Sequence, residues 1–304
     1  MRLRPVATAL ALTLLGVAIL AGSSAAAPLP VSYNGLAGYA HVSPTASPPG
    51  ANDFSCKPSA AHPRPVILVH GTFADMSDSW QALSPLLHND GYCVFALNYG
   101  SYAGSGLIGI DATGNIASSA AELSTFVNRV LTATGASQVD LVGHSQGGMM
   151  PRYYLRFLGG AAKVHTLVGL APSNHGTTLE GLLTLAGYFP GADAFLGILC
   201  PACEQQTAGS SFITKLNAGS ETVPGVSYTV IESRNDEVVT PYTSAFLSGP
   251  SVTNILLQSQ CVLDQGEHLS MPYDHIADGD VVNALDPAHA VTPACTPVLP
   301  VVGG

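Results

Sequence analysis

The pentapeptide Gly143-His144-Ser145-Gln146-Gly147 constrains this chain more than any other stretch. Val139-Asp140-Leu141-Val142 ahead of it reads as a buried strand, and residues 147–158 behind it suit a helix. A G-x-S-x-G pattern between a strand and a helix marks a sharp turn that lifts a serine hydroxyl above the edge of a sheet. The flanking glycines let strand and helix pass without side-chain collision, and Gly148 adds room. The helix start also aims its dipole at any negative charge that develops there. The bland alternative is a glycine-rich turn with an idle serine, and the strand and helix on either side weigh against it.

The rest of the chain repeats the same alternation. Val66-Ile67-Leu68-Val69 is a continuous aliphatic run, typical of a strand covered on both faces. Further strands are expected at 92–97, 164–171, 226–232 and 252–257. Helices are expected at 78–88, at 115–134 with Gly135 as C-cap, and from 280 to 285. Such alternation predicts an α/β fold, a mostly parallel sheet with helices on both faces. Residues 173–222 are long for a loop. Their apolar pieces at 179–189 and 195–199 are expected to fold over the carboxyl edge of the sheet. The organisation read from this is a signal segment at 1–27, a loosely structured lead-in at 28–60, and one catalytic domain at 61–304.

Composition narrows the partners. Of 304 residues, 47% are apolar and 10% charged, which excludes a chain kept disordered by its own charge. The formal charge is −10, and the ten Lys and Arg form no run, so a nucleic-acid partner is not expected. Contact with lipid, as at an oil–water interface, would have to be apolar. Arg2 and Arg4, an apolar stretch at 5–21, and small residues from Ser23 to Ala27 form a secretory signal. A membrane anchor is the competing reading, but the small-residue site follows directly, so no stable anchor is expected. Six cysteines in an exported chain suggest three disulfides, and six allow fifteen pairings. The expected pairs are Cys56–Cys93, Cys200–Cys203 and Cys261–Cys295. Cys200-Pro201-Ala202-Cys203 also reads as a redox motif, but no strand-to-helix context surrounds it. A monomer is expected.

A serine hydroxyl is a weak nucleophile and needs a base, which in turn needs an orienting acid. In a fold with this elbow the chain order is Ser, then Asp or Glu, then His. Asp236 lies just past the strand at 226–232 and is the expected acid. Glu232, at the strand's end, and Glu237 compete with it. His268 is the expected base. His275 is its competitor, and His289 lies too near the tail. His144 is expected to turn away from the serine as a packing residue. For an oxyanion, the expected donors are the backbone N–H groups of Gln146 and of Thr72, which follows the first strand in His70-Gly71-Thr72. The Thr72 hydroxyl is a third candidate donor. No His-x-x-x-His or dense carboxylate cluster appears, so neither a metal nor a cofactor is expected. A structural calcium is left open.

With these residues in place, the chain resembles the class 2 triacylglycerol lipase family, especially its secreted actinobacterial members. The resemblance spans roughly residues 54–295. It rests on Val69 to Thr72, Gly143 to Gly148, Ala171-Pro172 through Gly176-Thr177, Asp236 to Pro241, and the stretch from Cys261 to His268. It implies an α/β-hydrolase fold and a lipase acting on carboxylic esters without a cofactor. It also implies Ser145, Asp236 and His268 as triad, and Thr72 and Gln146 as oxyanion donors. A yeast relative has Thr at the position of Gly143, and residues 178–225 match poorly, so chain-length preference does not carry over. Three rivals share some or all of these residues: a carboxylesterase or cutinase-like polyesterase, an acyltransferase, and a non-catalytic binding protein on the same fold.

Overall fold

A computed structural model describes residues 1, 27–40, 45–195 and 200–304. Of the expected signal segment at 1–27, residues 2–26 lie outside the described residues, as do 41–44 of the lead-in and 196–199. Six strands form one sheet: β1 (Val66–Val69), β2 (Val94–Leu97), β3 (Val139–His144), β4 (Val164–Leu170), β5 (Ser227–Glu232) and β6 (Val252–Leu256). Their order is β2-β1-β3-β4-β5-β6, and every neighbouring pair is parallel. The helices, in chain order, are α1 (Gly35–Tyr39), α2 (Met76–Ser79), α3 (Leu83–Asn89), α4 (Ile116–Thr134) and α5 (Gln146–Phe157). They continue as α6 (Leu179–Tyr188), α7 (Pro201–Gln206), α8 (Ser211–Asn217), α9 (Leu257–Gln260) and α10 (His275–Leu285).

The apolar runs are continuous because β1, β2 and β3 are buried at every position. Alternate residues serve opposite faces. Ile67 and Val69 pack with Leu123 and Val127 of α4 and Met149 of α5. Val66 and Leu68 pack with Leu83 and Leu87 of α3 and Ile276 and Val281 of α10. Helix α4 follows its sequence signals closely. The Asn115 side chain caps the N–H groups of Ala117 and Ser118, and Gly135 ends the helix with a left-handed backbone.

The chain leaves β1 for β2 on one side, then crosses to β3 on the other. The reversal falls between β1 and β3. Parallel sheets bind ligands at the carboxyl ends of their strands, at such a switch point. The loop holding Thr72 leaves β1 there, and the turn holding Ser145 leaves β3.

Three expectations meet a more detailed outcome. The helix expected at 78–88 is two pieces, α2 and α3. A proline ring collides with the carbonyl four residues back, so a helix running through Gln81 could not also contain Pro85. Restarting at Leu83 makes Pro85 the third residue of a first turn. Residues 173–222 are not one long loop but hold α6, α7 and α8 over the sheet's carboxyl edge. The lead-in is bound at several points. Asn52 pairs its backbone N–H with Val94 and its side chain with both backbone groups of Ala96, and Gly35 N–H donates to Val302.

The three disulfides are Cys56–Cys93, Cys200–Cys203 and Cys261–Cys295, the pairs expected from sequence. No described helix is long and apolar enough to cross a membrane.

Candidate active site

Ser145 sits between the last residue of β3 and the first of α5, with φ 55° and ψ −123°. That backbone conformation is strained for a residue with a side chain. The glycines around it show what maintains it. A Cβ at Gly143 would stand 1.9 Å from the Gly147 carbonyl oxygen, and one at Gly147 would stand 2.1 Å from that of Val69. Strand β1, strand β3 and helix α5 thus meet too closely for any side chain at either position.

Asp236 and His268 come together from loops that follow β5 and β6. His268 Nδ1 lies 2.7 Å from Asp236 Oδ2, with both side chains out of contact with solvent. The other Asp236 oxygen accepts from the Val238 and Val239 N–H groups, at 2.7 Å each. Burial lowers the pKa of His268, but the charge and hydrogen bond of Asp236 outweigh it, and the imidazole stands above its ordinary value. His268 Nε2 is buried and makes no hydrogen bond to any described residue. The bond from Ser145 Oγ to Nε2 is therefore not closed in this conformation. Such bonds commonly close only as substrate binds.

The hydrogen bonds of the competing residues run elsewhere than to His268 or Ser145. Glu232 ends β5. Glu237 accepts from the Tyr188 hydroxyl at 2.9 Å. His275 opens α10 and hydrogen-bonds the Ala294 and Gly304 carbonyls, fastening the C-terminal tail. His289 pairs with Asp286 at the surface. His144 does not simply turn away to pack. Its Nε2 lies 2.9 Å from the His268 carbonyl oxygen, and the two rings are 4.8 Å apart. The residue next to Ser145 therefore fixes the loop that carries His268.

Thr72 and Gln146 also meet. The Gln146 side-chain amide donates to Thr72 Oγ1 at 2.7 Å, and Gln206 Nε2, from the end of α7, donates to the same oxygen at 2.9 Å. A hydroxyl has two acceptor sites and one proton. With both acceptor sites occupied, the Thr72 proton is available to donate outward. Gln146 is the first residue of α5, where a helix leaves its N–H groups without an internal acceptor. Gln206 is the residue that the sequence did not single out. It is one of two glutamines in a six-residue helix, and no spacing ties it to Thr72.

The site is closed. Ser145 is 2% exposed, Thr72 1% and His268 fully buried. Three aromatic rings bridge the loops around it. Phe189, just after α6, contacts Phe73 beside Thr72 and meets Tyr39 edge-on at 5.8 Å. The Tyr39 hydroxyl donates to the carbonyl of Leu269, next to His268.

A six-stranded parallel sheet with helices on both faces and a strained serine at a strand-to-helix turn defines an α/β-hydrolase fold. The model of the family described as lipase (class 2) matches residues 63–274, and the chain belongs to that family. It is similar to a triacylglycerol lipase of Burkholderia plantarii, 36% identical over 123 residues, covering 39% of this chain and 31% of that protein. It is also similar to lipase B of Pseudozyma antarctica, 30% identical over 119 residues, covering 39% of this chain and 32% of that protein. The chain therefore spans about a third of the length of these relatives. Among solved structures, Aspergillus fumigatus lipase B aligns with a TM-score of 0.56 at 20% identity, covering 82% of this chain and 57% of that one. At that identity the likeness speaks for the fold.

Proposed function

We propose that this chain is a secreted serine lipase that hydrolyses the ester bonds of acylglycerols through an acyl-enzyme on Ser145. The observation that carries the reading is the buried, 2.7 Å pair of Asp236 and His268, on a loop tied to His144, the neighbour of a serine held at φ 55°. His268 Nε2 takes the Ser145 proton as Oγ attacks the ester carbonyl. Asp236 holds the imidazole and stabilises its cationic form. The N–H groups of Thr72 and Gln146, with the Thr72 hydroxyl, receive the oxyanion. His268 then protonates the departing alcohol, water enters, and the same steps release the acid. No step calls for a metal or cofactor.

The exposed apolar face of α6 supports a lipid-facing cover. The burial of Ser145 and His268 favours a cover that moves aside for substrate. Helix α6 leaves Leu179, Leu183 and Tyr188 exposed while its other face packs inward. Three disulfides among the described residues favour an oxidising, extracellular setting.

The test is a ratio of two rates for the purified chain, with Ser145→Ala as blank: emulsified long-chain triacylglycerol over a soluble short-chain ester. A substantial ratio is expected, with a rise in rate as substrate passes its solubility limit. A ratio near zero with good short-chain activity would move the assignment to a carboxylesterase on the same residues. Near-normal ester hydrolysis by Ser145→Ala would sink the serine assignment.

A further inference from the structure

Glu232 stands four residues before Asp236, and the reaction described above leaves it without a task. It is fully buried at the end of β5. Its Oε1 accepts from the Ser233 N–H at 2.8 Å, while Oε2 is buried and receives no hydrogen bond from any described donor. The group that acts most on the Glu232 carboxyl is the carboxyl of Asp236, both by its charge and at hydrogen-bonding range. Asp236 is better supplied, with the Val238 and Val239 N–H groups on Oδ1 and His268 on Oδ2.

Two buried carboxyl groups in contact cannot both ionise. Hydrogen bonds to the charged form decide which one does. Asp236 has three such bonds and Glu232 one. The remaining proton then belongs on Glu232 Oε2, the oxygen left without a donor, with Asp236 as the carboxylate that acts on it. The neighbouring strands bring no competing charge at this level, since β6 sets Leu256 opposite Glu232 and β4 ends beside it at Leu170 and Ala171. The charged groups beyond Asp236 are His268 on the loop after β6 and, acting on His268, Glu237 and Glu267.

We infer that Glu232 is a positioning residue of this site, a neutral carboxylic acid whose Oε2–H donates a hydrogen bond to the Asp236 carboxylate. The inference rests on the proposed roles of Ser145, Asp236 and His268. Burial and the charge of Asp236 both push the Glu232 carboxyl well above the usual carboxylate range, in agreement. The bond fixes the plane of the Asp236 carboxylate. It also draws charge away from the oxygen that faces His268, so His268 is a weaker base than it would be beside a bare carboxylate.

The experiment uses the full chain and a soluble short-chain ester. It compares the pH dependence of kcat/KM for the wild type, Glu232→Gln and Glu232→Leu. Glutamine keeps a donor toward Asp236 and should leave the acid-limb pKa in place. Leucine removes the donor, leaves Asp236 its full charge, and should raise that pKa by about 1 unit. If both variants lower it, Glu232 is an anion that strengthens His268, and the inference is wrong. If neither moves it, Glu232 has only a packing role, and the inference is also wrong. A second readout does not depend on activity or on leucine folding. The infrared difference between the wild type and Glu232→Gln at neutral pH should contain the C=O stretch of one protonated carboxyl, and its absence would overturn the inference. Retained activity in Ser145→Ala would instead count against the triad reading, leaving the infrared result to place the proton.

Discussion

Asp236 Oδ2 approaches His268 Nδ1 to 2.7 Å, and neither side chain meets solvent. In so dry a place an imidazole alone would shed its proton early. The adjacent carboxylate reverses that, and His268 ends above the ordinary histidine value. Activity is therefore expected to fall as pH drops through a value above that of free histidine. Asp236→Asn removes the charge and leaves the burial, so the acid limb of kcat/KM should move to lower pH. The same change should lower kcat by about 10⁴ by favouring the wrong tautomer. A pH–rate profile of both proteins checks this, and an acid limb that stays in place would show that Asp236 does not set the basicity of His268.

Thr72 Oγ1 receives side-chain amides from Gln146 and Gln206 at 2.7 and 2.9 Å. Thr72→Val deletes the hydroxyl and leaves both amides without that acceptor. Loss of one oxyanion donor typically costs about 10²–10³ in kcat. A fall of that order is expected, shared equally by kcat and kcat/KM, because the bond forms only as charge develops. Gln206→Leu should act through the same hydroxyl by releasing its orientation. The double variant should then fall by less than the product of the two single effects. Fully multiplicative losses would show that Gln206 works elsewhere.

These residues differ in how far the sequence announces them. Ser145 is legible because a strained turn squeezed between two backbones demands glycine at fixed offsets, here Gly143 and Gly147. Asp236 and His268 are legible because the fold fixes their chain order and sets each just past a strand end. The break between α2 and α3 is written in Pro85 but outvoted by the apolar stripe around it. Gln206 is not legible. It meets Thr72 across 134 positions through tertiary packing, and helix α7 is too short to carry a periodicity. Glu232 shows itself as a carboxyl near Asp236, but only its burial and contacts turn it from a competitor into a neighbour. His144 reads as packing, and its bond to the His268 carbonyl depends on where β6 ends.

The Cys261–Cys295 disulfide ties the C-terminal tail beneath the His268 loop, where the Val301 N–H donates to Glu267 at 2.7 Å. Glu267 in turn accepts from the Leu269 and Ser270 N–H groups on the far side of His268. Replacing both cysteines by alanine should cost about 2–4 kcal/mol and lower Tm by roughly 5–15 °C. Activity should fall well below that Tm, because the tail steadies the loop that carries His268. Replacing Cys56 and Cys93, which tie the lead-in to β2 on the other side of the sheet, should lower Tm while sparing kcat at moderate temperature. Calorimetry with kinetics at 25 °C separates the two pairs. Equal kinetic losses would deny the tail its part in holding His268.

Asp111 supports the loop that carries Thr72, since its carbonyl accepts from the Phe73 N–H at 3.0 Å. The residue is 3% exposed, and the pKa of its carboxyl is pushed up to about 7, first by burial and then by the charges of Asp75 and Glu122. In the unfolded chain it would titrate near pH 4. Between roughly pH 4 and 7 the folded protein therefore holds a proton that the unfolded chain has released, so stability falls as pH rises through that window and levels off above it. Asp280, pushed up to about 6, adds to the same trend. Asp111→Asn removes the contribution of one group. Its Tm should decline less steeply from pH 5 to 8 than that of the wild type, and at pH 8 it should melt higher. A variant whose Tm tracks the wild type in parallel across that range would show that Asp111 is already ionised in the fold at pH 5, paired in a way that burial does not oppose.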